Sequence, residues 1–114
     1  MGKKVFAYKS KEITQYPGAY SWEYFSEEES ACKGFKAMMN HFYNEEYIVP
    51  YGLHEDNEGF YVVSGKGKMI IGSEEYDLAP GVAMLAPAHV PHAIKKTSCE
   101  ELEIFLFHFP VIEK

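Results

Sequence analysis

The run Glu55-Asp56-Asn57-Glu58-Gly59-Phe60-Tyr61-Val62-Val63-Ser64-Gly65-Lys66-Gly67-Lys68-Met69-Ile70-Ile71-Gly72-Ser73-Glu74-Glu75-Tyr76-Asp77-Leu78 decides the fold. A polar, turn-forming stretch leads into the short apolar run 60–63, which stops at Ser64-Gly65-Lys66-Gly67. A second short run, 68–71, meets Gly72-Ser73, and that pair supplies a hairpin turn into residues 75–78. Downstream, Pro80-Gly81 opens an apolar run over 82–86, and Pro87 and Pro91 bracket a loop before His92. A last strand runs from about Leu102 to Phe109. Upstream, residues 35–42 alternate loosely, residues 16–25 place five aromatics around Pro17-Gly18, and residues 5–8 predict a weak first strand. Short runs with turns every eight to twelve residues predict an all-β, antiparallel sandwich or barrel. The competing helical stretch is 26–39, where Ser26 and Glu27, Glu28 and Glu29 offer a cap and an acidic first turn but Gly34 interrupts. One short helix or irregular segment is therefore expected near residues 26–34.

The chain has 114 residues, enough for one domain. Residues 1–34 are expected to pack as a strand and an aromatic, acidic segment on the barrel or on a dimer partner, and 35–114 to form the barrel itself. Seventeen acidic residues face eleven basic ones, all lysine, for a net charge of -6. Phosphate tracking needs a basic stripe and favours arginine forks, so the sequence predicts no nucleic-acid or anionic-membrane partner. No apolar run approaches the roughly eighteen residues of a membrane span, and lysines break the N-terminal apolar stretch too early for a leader, so a soluble, cytoplasmic chain is expected. Cys32 and Cys99 have no paired spacing, which fits two reduced thiols.

Chemistry is sought among the five histidines, 41, 54, 89, 92 and 108. His54 and Glu58 on a straight strand would stand about 13 Å apart, whereas two ligands each about 2.1 Å from one ion are about 4 Å apart at most. Convergence requires a turn between them, and Asp56-Asn57 has that chemistry. A second constellation, Gly81-Val82-Ala83-Met84-Leu85-Ala86-Pro87-Ala88-His89-Val90-Pro91-His92, is an apolar strand, a proline-stiffened loop and a histidine entering the next strand.

These two segments resemble the cupin superfamily, whose first motif runs Gly, five residues, His-x-His, three or four residues, Glu, six residues, Gly. Here His54, Glu58 and Gly65 match the second His, the Glu and the Gly. The second motif, Gly, five residues, Pro-x-Gly, two residues, His, three residues, Asn, is matched by Gly81, Pro87 and His92, with His89 in place of Gly and Lys96 in place of Asn. The resemblance covers residues 35–110 and implies a double-stranded β-helix, or jelly-roll barrel. It implies metal ligands at His54, Glu58 and His92, while the first His of the family's pair falls on Gly52. Such a set suits one divalent transition metal, Fe, Mn, Ni, Co or Zn, with positions left open.

His41 is a candidate catalytic base or replacement ligand and Tyr61 a candidate phenol donor. His89 fits the rim of the loop. His108 alternates with Phe107 and Phe109, so it points into the pocket or away from it according to which set faces inward. Met38, Met39, Met69 and Met84 fit core filling. The family likeness implies a small-molecule partner and a metal-dependent oxygenase, lyase or isomerase. The alternatives are a metal-free ligand-binding or sensor protein, or a metal-free isomerase or epimerase using His54 or His92 as base. A homodimer is expected, with segment 16–25 at the interface or covering one end of its own barrel.

Overall fold

The computed structural model describes residues 4–111. Nine strands form two antiparallel sheets: β1 (Ile13–Tyr16), β2 (Ala19–Phe25), β3 (Lys36–Phe42), β4 (Asn57–Ser64), β5 (Gly67–Ile71), β6 (Glu74–Leu78), β7 (Ala83–Ala86), β8 (His92–Lys96) and β9 (Leu102–Phe109). The larger sheet has the order β1-β2-β3-β9-β4-β7 and the smaller β6-β5-β8. They face each other as a jelly-roll barrel, with Met69, Leu102, Ile104, Leu106 and Val62 sealed between them. Among the described residues, no helix is long and apolar enough to cross a membrane.

Alternation fixes what each face carries. On β9 the even residues 102, 104, 106 and 108 are buried inward, while Phe105 and Phe107 lie on the outer face. Met38 and Met69 belong to the inner core, Met84 packs against it, and Met39 is buried on the outer face.

The one helix among the described residues, α1 (Glu27–Ser30), is a single turn. Ser26 Oγ accepts the Glu29 amide at 3.2 Å and Glu29 Oε1 accepts the Ser26 amide at 3.1 Å, a reciprocal cap. It ends at Ala31, whose φ of 56° is left-handed, and does not continue toward residue 39. From Lys36 the chain is instead held by two ladders, to β2 and to β9, which outweigh helical propensity.

The expected strand over residues 5–8 does not form. The backbone there joins no sheet, and the segment is held by side chains: Phe6 lies 5.7 Å from Phe25, and Tyr8 5.7 Å from Trp22. The first strand is Ile13–Tyr16, an exposed edge paired to β2 across Pro17-Gly18. Residues 1–3 and 112–114, the outer limits of the two expected segments, lie outside the described residues. Cys32 and Cys99 are unpaired thiols.

Candidate metal centre

Four elements meet at one end of the inter-sheet space. The loop before β4 carries His54, β4 carries Glu58, β8 opens with His92, and β9 supplies His108. The loop is fastened to β8 by a two-bond bridge, Gly52 N to His92 O at 2.9 Å and His92 N to Gly52 O at 3.0 Å. It is fastened to the β7–β8 loop by His89 N donating to His54 O at 2.9 Å. The chain bends at Glu55-Asp56, one residue before the expected Asp56-Asn57 turn because Asn57 already opens β4, and this brings His54 back over Glu58, closing the gap that a straight strand would leave open.

The Glu58 carboxylate is buried. Its Oε1 lies 2.9 Å from His54 Nε2 and 3.0 Å from His92 Nε2. Yet this oxygen accepts no well-aligned hydrogen bond. A sealed carboxylate oxygen facing two imidazole nitrogens without an aligned donor loses on the order of 1–3 kcal/mol as an unsatisfied acceptor. A cation held by all three groups removes that cost, and the three donor atoms lie within 4.8 Å of one another. The residues present therefore fit a divalent metal on a two-histidine, one-carboxylate set. His92 Nδ1 lies 3.5 Å from the Val90 carbonyl oxygen. A hydrogen on that nitrogen leaves the Nε2 lone pair aimed at the centre.

Glu58 has a second support. Its Oε2 is 3.3 Å from His108 Nε2, and His108 Nδ1 is 3.1 Å from Asp56 Oδ1. The even-numbered face of β9 is thus the inner one, and His108 stands in the pocket beside the three candidate ligands. Burial pushes the Glu58 carboxyl up, but the contacts with His54 and His92 and the charge of His108 pull harder, so it sits down at about 2. The same Glu58 contact raises His54 against the opposing effect of burial.

Gly52 stands where the family motif has its other histidine. A Cβ built there would lie 3.5 Å from both His54 Nε2 and His92 Nε2, ordinary contact distance, so that position looks directly into the centre. His89, in the family's glycine position, has a φ of 67°, the left-handed conformation that glycine adopts without strain. It is exposed on the loop, outside the residues lining the cavity.

His41 and Tyr61 are not brought to this centre. Both lie on the outer face of the larger sheet: Tyr61 is 48% exposed, and His41 is stacked against Tyr20 with ring centroids 4.7 Å apart and paired to the Tyr8 hydroxyl. The reading of the sequence missed three groups that do line the cavity, Lys36, Asn40 and Asp56. Two-residue alternation on β3, counted in both directions from the apolar Met38, would have found the first two.

A cavity of about 530 Å³ opens from the centre between the sheets, the size of a small-molecule site. A buried carboxylate and two or three imidazoles at the end of a jelly-roll cavity define a small-molecule barrel with a candidate metal centre. Residues 42–108 match the family described as Cupin domain. The chain belongs to the cupin family. Among solved structures it is similar to KdgF from Halomonas sp. (TM-score 0.73, 21% identity, 97% of this chain and 96% of that one). It is also similar to the cupin domain of Schizosaccharomyces pombe Cnp3 (0.75, 16%, 90% and 70%). A third similar structure is hydroxypropylphosphonic acid epoxidase from S. wedmorenis (0.81, 16%, 94% and 59%), so the chain spans about three-fifths of that enzyme. Comparison with curated proteins finds no match.

Proposed function

We propose that the chain is a metal-dependent enzyme of the oxygenase, lyase or isomerase type acting on a small organic molecule, with one divalent transition metal held by His54, Glu58 and His92. The observation that carries this reading is the convergence of three ligand atoms within 4.8 Å around a buried carboxylate oxygen that no aligned donor satisfies. When bound, the metal supplies Lewis acidity to an oxygen of the substrate. The protein's own groups do the rest: His108, fixed by Asp56, holds Glu58 in place, the Met38, Phe60 and Leu106 surface excludes water, and His54, 42% exposed, stands at the open side.

A solved structure similar to this chain is an Fe(II) form of HppE, which supports iron as the first metal to try. Elemental analysis of protein purified without chelator, followed by reconstitution with Fe(II), Mn(II), Ni(II), Co(II) and Zn(II), is expected to give one equivalent. Uptake that stays substoichiometric after reconstitution sinks the three-ligand site. The outer face supports a homodimer: Tyr61, Val63 and Leu85 are 48%, 42% and 58% exposed on adjacent strands beside Phe105 and Phe107. Sedimentation velocity is expected to show a species of twice the 13.0 kDa chain mass.

A further inference from the structure

The inward side chains of the larger sheet fall into cross-strand rows, because antiparallel partners share a face. Lys36 pairs with His108, and His108 with Glu58, so one row carries a lysine beside the candidate metal ligands. The next row along the strands is apolar over three strands, Met38, Leu106 and Phe60, and ends on β2 at Glu23, whose carboxylate is ion-paired to Lys11 at 3.0 Å. The row after that holds Ser21 opposite Asn40, backed by the sealed Ile104 and Val62, which do not line the cavity. The other members of the three rows line it, and it runs along β3 from Lys36 through Met38 to Asn40. Four residues of strand put the two polar rows about 13 Å apart.

Each end has unspent hydrogen-bonding capacity. Lys36 has no ion-pair or hydrogen-bond partner among the described residues, although its charge is felt at His54. The other acids on this wall are committed, Glu23 to Lys11 and Asp56 to His108. At the far end the Asn40 amide makes no hydrogen bond to the described residues, its Oδ1 is shut away from solvent, and Ser21 is 3% exposed with its hydroxyl unpaired in the same way. The wall thus reads cation, apolar belt, neutral polar pair.

From this order we infer that the site takes a small monocarboxylate with an apolar middle and a hydroxyl or amide at its far end, the carboxylate lying at Lys36 beside the metal centre and the far group at Asn40 and Ser21. This deepens the function proposed above, and it rests on that reading only for the placement of the head next to a metal. A dianion or a phosphate monoester is disfavoured, since a single lysine shares its row with Glu58, Asp56 lines the cavity beside them, and no arginine exists in the chain to form a fork. A wholly polar ligand would leave the Met38, Leu106 and Phe60 belt wet, while a plain fatty acid would leave Asn40 and Ser21 without partners.

The test uses 8-hydroxyoctanoate, whose extended chain is somewhat shorter than the distance between the rows, with octanoate and octane-1,8-diol as partial probes. Calorimetric binding is measured on metal-loaded and on chelator-treated protein. The hydroxy acid is expected to bind about tenfold more tightly than the diol and about fivefold more tightly than octanoate. Lys36→Met removes the first preference and leaves diol binding unchanged. Asn40→Ala or Asn40→Leu removes the second and leaves octanoate binding unchanged. Two substitutions at Asn40 guard against misfolding, which a thermal melt reports. Equal affinity for acid and diol, or a preference that survives Lys36→Met, overturns the inference even if the protein holds one metal. A lysine-dependent preference in protein that never takes up metal supports the inference and overturns the metal reading instead.

Discussion

Two histidines on neighbouring β-strands are almost equally buried, His41 on β3 at 5% and His108 on β9 at 6%, and they share almost nothing else. His108 faces the cavity between Asp56 and Glu58. His41 faces out, sandwiched by Tyr20 and Tyr8 with Trp22 at its edge, 5.4 Å away. Burial lowers His41 even though Glu103 and Glu101 pull the other way and Lys9 adds to the lowering. In the inner cluster the carboxylate wins, and His54 is raised. Burial of a histidine therefore does not mark a site. What separates the two clusters is strand parity, which places one histidine among carboxylates around an orphaned oxygen and the other in an aromatic stack with its hydrogen-bonding capacity already used.

The sharpest way to break this contrast is to remove the proposed ligands on one face and the stack on the other. His54→Ala with His92→Ala is expected to abolish metal uptake, measured by elemental analysis after reconstitution. His41→Phe is expected to leave uptake at one equivalent while shifting the melting temperature. Metal bound with both inner imidazoles gone would erase the distinction.

Acidity sets the two faces against each other. Glu58, held at about 2 against an ordinary 4.5, contributes stability that is fully present above pH 4.5 and is lost as pH falls through its folded value, roughly 3 kcal/mol across that range. His54, raised above 6.5, contributes below that pH and loses its contribution as pH rises through its folded value. His41, lowered below 6.5, does the reverse and destabilises the fold as pH falls from 6.5 through its folded value. In metal-free protein, Glu58→Gln should leave only the outer response, with denaturation midpoints falling steadily from pH 7.5 to 5. His41→Phe should leave only the inner one, with midpoints rising over the same interval. Identical pH profiles for the two variants would show that the faces are not independent.

Smaller effects probe the support around Glu58. Asp56→Asn keeps the shape but replaces the carboxylate at His108 Nδ1, and a roughly tenfold loss of metal affinity is expected, together with a changed absorption spectrum of the Co(II)-substituted protein. A merely structural role would alter the melt and leave that spectrum alone. Least of all, His89→Gly relieves the left-handed backbone and should stabilise the fold by about 0.5–1 kcal/mol in urea titration, with no change at the metal.

Much of this was legible before any coordinates. The regular punctuation from residue 55 onward defines β4 to β6 because polar turns and short apolar runs leave a single workable register. That His54, Glu58 and His92 come together was expected from the likeness to the two cupin motifs, to which the turn residues between the first two and the prolines before the third add local signals. What escaped was set by tertiary contact. Residues 5–8 have a strand's composition, but their side chains are spent on the aromatic face and no free edge receives their backbone. The direction of His108 could not be read from β9, which is apolar on both faces because Tyr24 covers Phe105 outside as the core covers Leu106 inside. Lys36 and Asn40 lie on a loosely alternating strand whose inward face the sequence does not single out, and only the opposite sheet turns that face into a wall.

Gly52 couples the framework to the chemistry. Its backbone is locked to His92 by two hydrogen bonds, while its missing side chain leaves ordinary contact space in front of both imidazoles. In the metal site proposed above, coordination number would therefore be separable from architecture. A side chain at this position would face both imidazoles from backbone already fixed to β8, so one residue change there would exchange a place open to incoming molecules for a further protein ligand.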